Sequence, residues 1–439
     1  MKIKTLYAGL LAGLVAIGSP AFATDLVQAY RDALGHDAQL ASVRAQLSAA
    51  RSRVPLARAG LMPNVSASAS INRQLVDTNF GPSQDFNAQN YVVAASLPLY
   101  RPQNWESFEQ GKLAEKISEA QYAQAEQDLM LRVAQAYFDV LGAQDNLTTI
   151  RAQKRAISEQ LAAAKRNFEV GTATVTDQQE AQSRFDLTVA QELAIENDLD
   201  VKRATLALLV GKPIGTLYTL RSGVKLEGPQ PAGENDWTEN ARQNSLYVQQ
   251  ALIGSEVASR EIVRQRLANR PTLDLVAQLA HAVNPSSSSV GLNANSGLIG
   301  VQLALPLYTG GATQARIAEA IANHEKALSD LEVARRSAEQ AARQTFYGVR
   351  SGLAQVSALE AAERSSQLSL DSNLLGYQVG VRINIDVLNA QQQVFSTKRD
   401  LAKARYDVLV NGLRLKSTTG ALTEEDLKKV ATLLVSAPQ

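Results

Sequence analysis

"NFEVGTATVTDQQEAQ" (Asn167–Gln182) has an echo in "GYQVGVRINIDVLNAQ" (Gly376–Gln391). Val170 and Val379, Gly171 and Gly380, Asp177 and Asp386, and Ala181 and Ala390 are each 209 positions apart. At the same spacing Tyr137 falls on Phe346, Phe138 on Tyr347 and Gly211 on Gly420. "LPLY" occurs at Leu97–Tyr100 and again at Leu305–Tyr308, and Pro63 falls on Pro271, both at a spacing of 208. One inserted residue separates the two registers. Such agreement over half the chain is a duplication.

The prolines bound what each half contains. Pro102 and Pro213 enclose 110 residues without proline, and Pro306 and Pro438 enclose 131. Proline inside a helix costs about 3 kcal/mol, so these gaps permit very long helices. Periodicity supplies the positive signal: Val133, Ala136, Val140, Ala143, Leu147, Ile150, Lys154, Ile157, Leu161 and Ala164 step by three and four, and only Lys154 is not apolar. That is a heptad seam rich in small residues. It predicts a helix from about 103 to 166, a turn at Gly171–Thr174 and a second helix from about 176 to 212. The second half repeats this over about 312–375 and 385–418, with a turn at Gly380–Asn384. A helix spanning 103–166 is roughly 95 Å long, more than any compact core of this size holds. A plain coiled-coil hairpin fits the same pattern.

Before each long helix the texture changes. In "NVSASASIN" (Asn64–Asn72), Val65, Ala67, Ala69 and Ile71 alternate with Ser66, Ser68, Ser70 and Asn72. Tyr91, Val93, Ala95, Leu97 and Leu99 make an apolar row in a second segment. Leu273, Leu275, Ala277 and Leu279, then Ile299, Val301, Leu303, Leu305 and Leu307, do the same in the other half. Polar loops "DTNFGPSQDFNAQN" and "NPSSSSVGLNANSG" join each pair. Alternation over about ten residues is the mark of a membrane β-barrel strand; soluble, half-buried hairpins are the alternative. Four strands cannot close a barrel, and lipid tolerates no open edge, so a barrel here is shared between chains. About eight strands leave an interior filled by side chains, whereas twelve leave a lumen. Short helices over about 25–60 and 236–269 precede the strands and extend the helical wall.

Lys2 and Lys4, an apolar run from Leu6 to Ile17 and "AFA" at Ala21–Ala23 read as an export signal with cleavage after Ala23. Without it the chain holds 42 basic against 43 acidic residues, which gives no case for a nucleic-acid partner. Cysteine is absent, so neither a disulfide, a thiolate nor a lipidated N-terminal Cys is available. No later segment approaches a helical span of about 20 apolar residues. His36, His281 and His324 are scattered, and "LVGKPIG" lacks the spacing and the Ser/Thr of a phosphate loop. These features point away from an enzyme and from any cofactor.

The mature sequence resembles the TolC-type outer membrane factor family along essentially its whole length. The most specific stretch is "GYQVGVRINIDVLNAQQQVFSTKRDLAKARYDVLVNGLRLKSTTGALTEEDL" (Gly376–Leu427), and it is closer to the TolC-type branch than to the lipid-anchored drug-efflux branch. The resemblance implies an α+β membrane protein built of duplicated helix–strand–strand–long helix hairpin units. As a homotrimer these form a 12-stranded β-barrel continuous with a long periplasmic α-helical barrel. It implies a place in the Gram-negative outer membrane, among its lipid, reaching into the periplasm. The implied partners are a periplasmic adaptor (membrane fusion) protein and an inner-membrane ABC or RND transporter. The implied role is an exit duct for type I protein secretion and/or multidrug efflux. The rival from another class is a trimeric coiled-coil adhesin or periplasmic spacer without a pore.

On this basis the chain divides into a signal peptide at 1–23, a first repeat at 24–212, an equatorial linker at 213–235, a second repeat at 236–419 and an equatorial tail at 420–439. The first repeat holds strands at 62–77 and 89–100 and the hairpin 103–212; the second holds strands at 271–284 and 296–308 and the hairpin 312–418. By the resemblance, Val170, Gly171, Thr172, Val379, Gly380 and Val381 are adaptor-docking tips. Asp386 and Asn389 form the entrance gate, where Asn389 stands in place of the family's second Asp and halves the expected negative charge. Arg382, Tyr377, Thr176 and Asp177 form the closed-state latch. Pro98, Pro102, Pro306, Gly310 and Gly311 mark the passage from strand to long helix, Pro102 as a helix-start residue.

Overall fold

The computed structural model describes residues 24–79, 81–221 and 223–435; the expected signal peptide lies outside them. α1 (Leu26–His36) and α2 (Ala38–Ala59) lead into β1 (Asn64–Thr78) and β2 (Gly81–Tyr100). α3 (Pro102–Glu169) and α4 (Val175–Val210) form the first hairpin. After β3 (Thr219–Leu220), the order repeats as α5 (Glu234–Asn244), α6 (Leu246–Arg266), β4 (Thr272–Val283), β5 (Asn293–Ala304), α7 (Ala312–Gln378) and α8 (Asn384–Thr418). α9 (Glu424–Ala431) and β6 (Leu434–Val435) complete the described chain, and β6 pairs with β3 inside the linker. α3 and α7 hold 68 and 67 residues, about 100 Å each. No helix is long and apolar enough to cross a membrane among the described residues.

Three expectations change. Each short helix is two: Asp37 separates α1 from α2, and Ser245 separates α5 from α6. Asp37 sits in extended backbone, accepts from Leu40 N at 2.7 Å to cap α2, and takes a two-pronged bond from Arg132 at 3.0 and 3.1 Å. Burial works against its charge, but the bonds from Arg132 and Leu40 hold its carboxyl below the usual range. Second, β2 starts at Gly81 rather than 89, because most of the polar loop pairs with β1: Asn87 faces Arg73, and Asp85 faces Leu75 and bonds Arg73 at 2.9 Å. Third, β5 is Asn293–Ala304 rather than 296–308, so the second "LPLY" lies beyond the strand. Ala304 pairs with Thr272, where β4 begins, and past it no strand of this chain is left to bond.

The four long strands form one antiparallel sheet in the order β1-β2-β4-β5. Val65 pairs with Ala95, Ala95 with Ala277, and Ala277 with Ile299, so odd-numbered residues share one face. That face carries Val65, Ile71, Val93, Leu279, Ile299, Val301 and Leu303, all exposed in the single chain. The even face carries Ser66, Ser68, Ser70, Asn90, Ser96, Gln278 and Gln302. Below the sheet, α3 packs against α4, α6 and α8, and α7 packs against α8 and α6; α4 and α7 share no comparable interface. The main core lies at mid-height, where α1, α3, α4, α8 and α9 meet around Leu26, Tyr137, Phe138, Leu206 and Leu427. Tyr137 Oη donates to the carbonyls of Thr24 and Tyr218 at 3.1 and 3.0 Å, tying the segment before α1 and the linker to α3. Burial pushes its phenol far above the ordinary tyrosine range. Lys154, the charged residue in the seam, reaches across to Glu192 of α4, which also binds Arg151 at 3.2 Å.

Candidate functional site

The two helix hairpins end in the same turn built twice. Thr172 N and Ala173 N donate to Asn167 O at 2.8 and 3.2 Å; Val381 N and Arg382 N donate to Gly376 O at 2.8 and 3.0 Å. Both turns need a left-handed residue, and Gly171 and Gly380 supply it with φ of 78° and 79°. At the first, Thr174 and Asp177 cap α4 reciprocally: Asp177 N donates to Thr174 Oγ1 at 3.2 Å and Thr174 N to Asp177 Oδ2 at 3.0 Å. Val170, Val175, Val379, Val381 and Ile383 stand exposed at this end, with Thr172 beside them in the first turn. Residues of this kind suit a protein partner rather than open water.

The residues expected to latch are not joined within the chain. Asp177 is taken up as the cap, and its carbonyl accepts from Asn384 Nδ2 at 3.3 Å. Arg382 Nη1 lies 3.6 Å from Asp386 Oδ2, and Tyr377 Oη accepts from Asn167 Nδ2 at 3.2 Å. Thr176 is exposed and makes no side-chain hydrogen bond among the described residues. Two residues the sequence reading missed organise the same end. Asn384 is buried, and its side chain is also bonded by Gln160 of α3. Arg184 of α4 donates to Gln392 Oε1 at 2.7 Å and to Asn389 Oδ1 at 3.1 Å. An Arg at 184 among the many polar residues of α4 carries no sequence signal of its own.

At the opposite end of the helices, the two strand-to-helix passages differ. In the first, Pro98 pairs with Asp274 and the register slips before Tyr100. Arg101 then clamps Asp274 through two 2.7 Å bonds, and Pro102 opens α3. In the second, Pro306 lies in irregular chain, Gly310 and Gly311 are left-handed (φ 63° and 84°), and Thr313 donates to Asn269 Oδ1 at 2.9 Å. Neither residue was singled out by the sequence: Asp274 falls between Leu273 and Leu275 on the even face of the strand, where a polar residue draws no notice. No group of three His, Cys, Asp or Glu suited to a metal occurs among the described residues.

A sheet with one apolar face, set on paired helical hairpins of about 100 Å, defines a channel-forming membrane protein. The family described as outer membrane efflux protein matches residues 29–212 and 237–421, one copy per repeat. The outer membrane protein TolC of Vibrio cholerae is 32% identical over 95% of this chain and 96% of its own length. The alkaline protease secretion protein AprF of Pseudomonas aeruginosa is 30% identical over 97% of this chain and 90% of its own. The outer membrane protein VceC of Vibrio cholerae superposes with a TM-score of 0.77 at 18% identity, covering 90% of this chain and 96% of that one. The chain belongs to the outer membrane efflux protein family: it is an exit duct of the outer membrane. That membership disfavours the adhesin and spacer readings.

Proposed function

We propose that three copies close into one duct, embedded in the outer membrane by a twelve-stranded barrel and lined below by helices. The observation that carries this is the sheet: β1 and β5 end it as free edges while its odd face is apolar. Lipid tolerates neither a free edge nor an incomplete barrel. The duplication supports a specific closure. β2 pairs with β4 inside the chain, so its repeat, β5, pairs with β1 of the next copy; likewise α3 on α8 is repeated as α7 on the next copy's α4. Twelve strands leave a lumen, and the small polar even face lines it. The division into leader, two repeats, linker and tail follows from the same reading.

The hairpin ends dock a periplasmic adaptor, with Val170, Gly171, Thr172, Val379, Gly380 and Val381 at the contact. Asp386 and Asn389 ring the periplasmic entrance, where Asp386 gives a weak cation preference. Arg382, Tyr377, Thr176 and Asp177 latch the entrance between copies, each such exposed bond worth roughly 0–1 kcal/mol and repeated by symmetry. The duct performs no chemistry; an inner-membrane transporter supplies the energy. Similarity to the alkaline protease secretion protein supports type I secretion, or a duct shared with efflux, as the route served.

Reconstitution of the full-length protein in planar bilayers tests the duct. The expected result is stepwise conductance with a cation preference that Asp386→Ala lowers; absence of steps contradicts it. Deleting the gene should abolish export of a secreted protein, and loss of drug resistance with export intact would overturn the assignment to secretion.

A further inference from the structure

We infer that Arg184 sets the ion selectivity of the periplasmic entrance by countering the Asp386 ring; this rests on the entrance reading above. Its guanidinium is held by two neutral amides, Gln392 at 2.7 Å and Asn389 at 3.1 Å, so the bonds orient the charge without cancelling it. Among the described residues Arg184 forms no ion pair, its side-chain bonds being those to Gln392 and Asn389. Along α4, Glu180 precedes Arg184 by one turn without an ion pair to it, Asp186 accepts from Gln182 Nε2 at 2.9 Å, and Asp177 is spent on the Thr174 cap. On α8, Asn389 follows Asp386 by three residues, about one helical turn, so both occupy the same helix face. Asp386 itself has Arg382 3.6 Å away. Arg382 thus stands beside the Asp386 carboxylate, and Arg184 reaches the same face of α8 through Asn389.

The consequence is a change of sign in the role of the second ring. Where an Asp at 389 would pair with Arg184 and add nothing net, Asn389 leaves the Arg184 charge expressed. Copies arranged around an axis repeat that charge as a ring, and its field reaches the axis at low salt, where the screening length is about 10 Å. The entrance then holds cations less than Asp386 alone would, and leaves acidic cargo unopposed.

The test is the reversal potential of the full-length protein in planar bilayers at roughly 0.1 M salt. Arg184→Gln should raise the cation-to-anion permeability ratio roughly threefold, the order expected for removing one screened charge from each copy. Arg184→Lys should keep the original ratio, which a purely structural role would not predict. Asn389→Asp should raise the ratio less than the double variant Asn389→Asp, Arg184→Gln. If Arg184→Gln leaves the ratio unchanged while Asp386→Ala lowers it, Arg184 is outside the ion path and the inference fails alone. If neither moves it, the entrance reading fails and takes the inference with it.

Discussion

Phe138 and Tyr347 occupy matching positions of the two repeats, as do Val410 and Val201, yet each pair is split by burial. Phe138 is 2% exposed and Tyr347 46%; Val410 is 4% exposed and Val201 55%. The buried members lie where α3 meets α8, with Phe138 stacked on Tyr406 at 5.5 Å and Tyr406 Oη donating to Asp145 at 2.6 Å. The exposed members lie on α7 and α4: Val201 faces outward, and Tyr347 keeps only its hydroxyl bond to Glu234 of α5 while its ring stays uncovered. The strands tell the same story. The first "LPLY" is held as strand by β4, and the second falls out of strand once β4 is used up. One half of the molecule thus shows a completed interface, and the other half shows the same interface waiting for a neighbour.

The largest effect that would break this comparison is on the completed side. Phe138→Ala leaves a cavity in a fully packed core and should cost about 3–5 kcal/mol in a chemical denaturation experiment on the solubilised protein. Tyr347→Ala should cost the isolated chain only the roughly 1–2 kcal/mol of its bond to Glu234 and should chiefly weaken association, read as a fall in the trimer fraction on sedimentation. Equal effects of the two on the chain alone would mean that the repeats are not related as argued.

Much of this was legible in the sequence and part was not. The duplication, the long helices and the alternating strands followed from spacing, since a seam such as Val133–Ala164 fixes a period over many turns. The breaks at Asp37 and Ser245 were hidden because a cap within an apolar pattern reads as one more polar position. The end of β5 was hidden because "LPLY" has identical local preference in both copies. What differs is the partner strand, which local sequence does not encode. At the hairpin ends, Gly171 and Gly380 announced themselves, whereas Arg184 and Asn384 act through residues some 200 positions away.

The two strand-to-helix passages give the next prediction. Arg101→Ala leaves Asp274, mostly buried, without its partner and should cost roughly 3 kcal/mol. Thr309→Ala, at the matching position of the second repeat, should change stability by less than about 0.5 kcal/mol. A melting experiment on both variants checks this, and comparable losses would erase the distinction between the passages.

A smaller effect concerns Glu261, whose bond to Arg264, aided by Gln110 of α3, lowers its carboxyl from 4.5 to about 2. A folded value below the unfolded one gives stability that is present above about pH 4.5 and lost as pH falls toward 2. Glu261→Gln should therefore melt below the wild type at neutral pH, with the gap closing as acid is added. A gap that widens in acid would show the sign to be wrong.

The central claim is that each interface inside the chain is the template for one between chains. β2 and β4 are in register with Ala95 opposite Ala277. Carried across the duplication, this places Leu303 of β5 opposite Ala69 of the next copy's β1. The natural sequence has no cysteine, so Leu303→Cys combined with Ala69→Cys can be oxidised in membranes and read on a denaturing gel. The account predicts a covalent ladder ending at the trimer, absent when Leu303→Cys is combined with Arg73→Cys instead. A ladder from the Arg73 pair alone, or only monomer from the Ala69 pair, would contradict it.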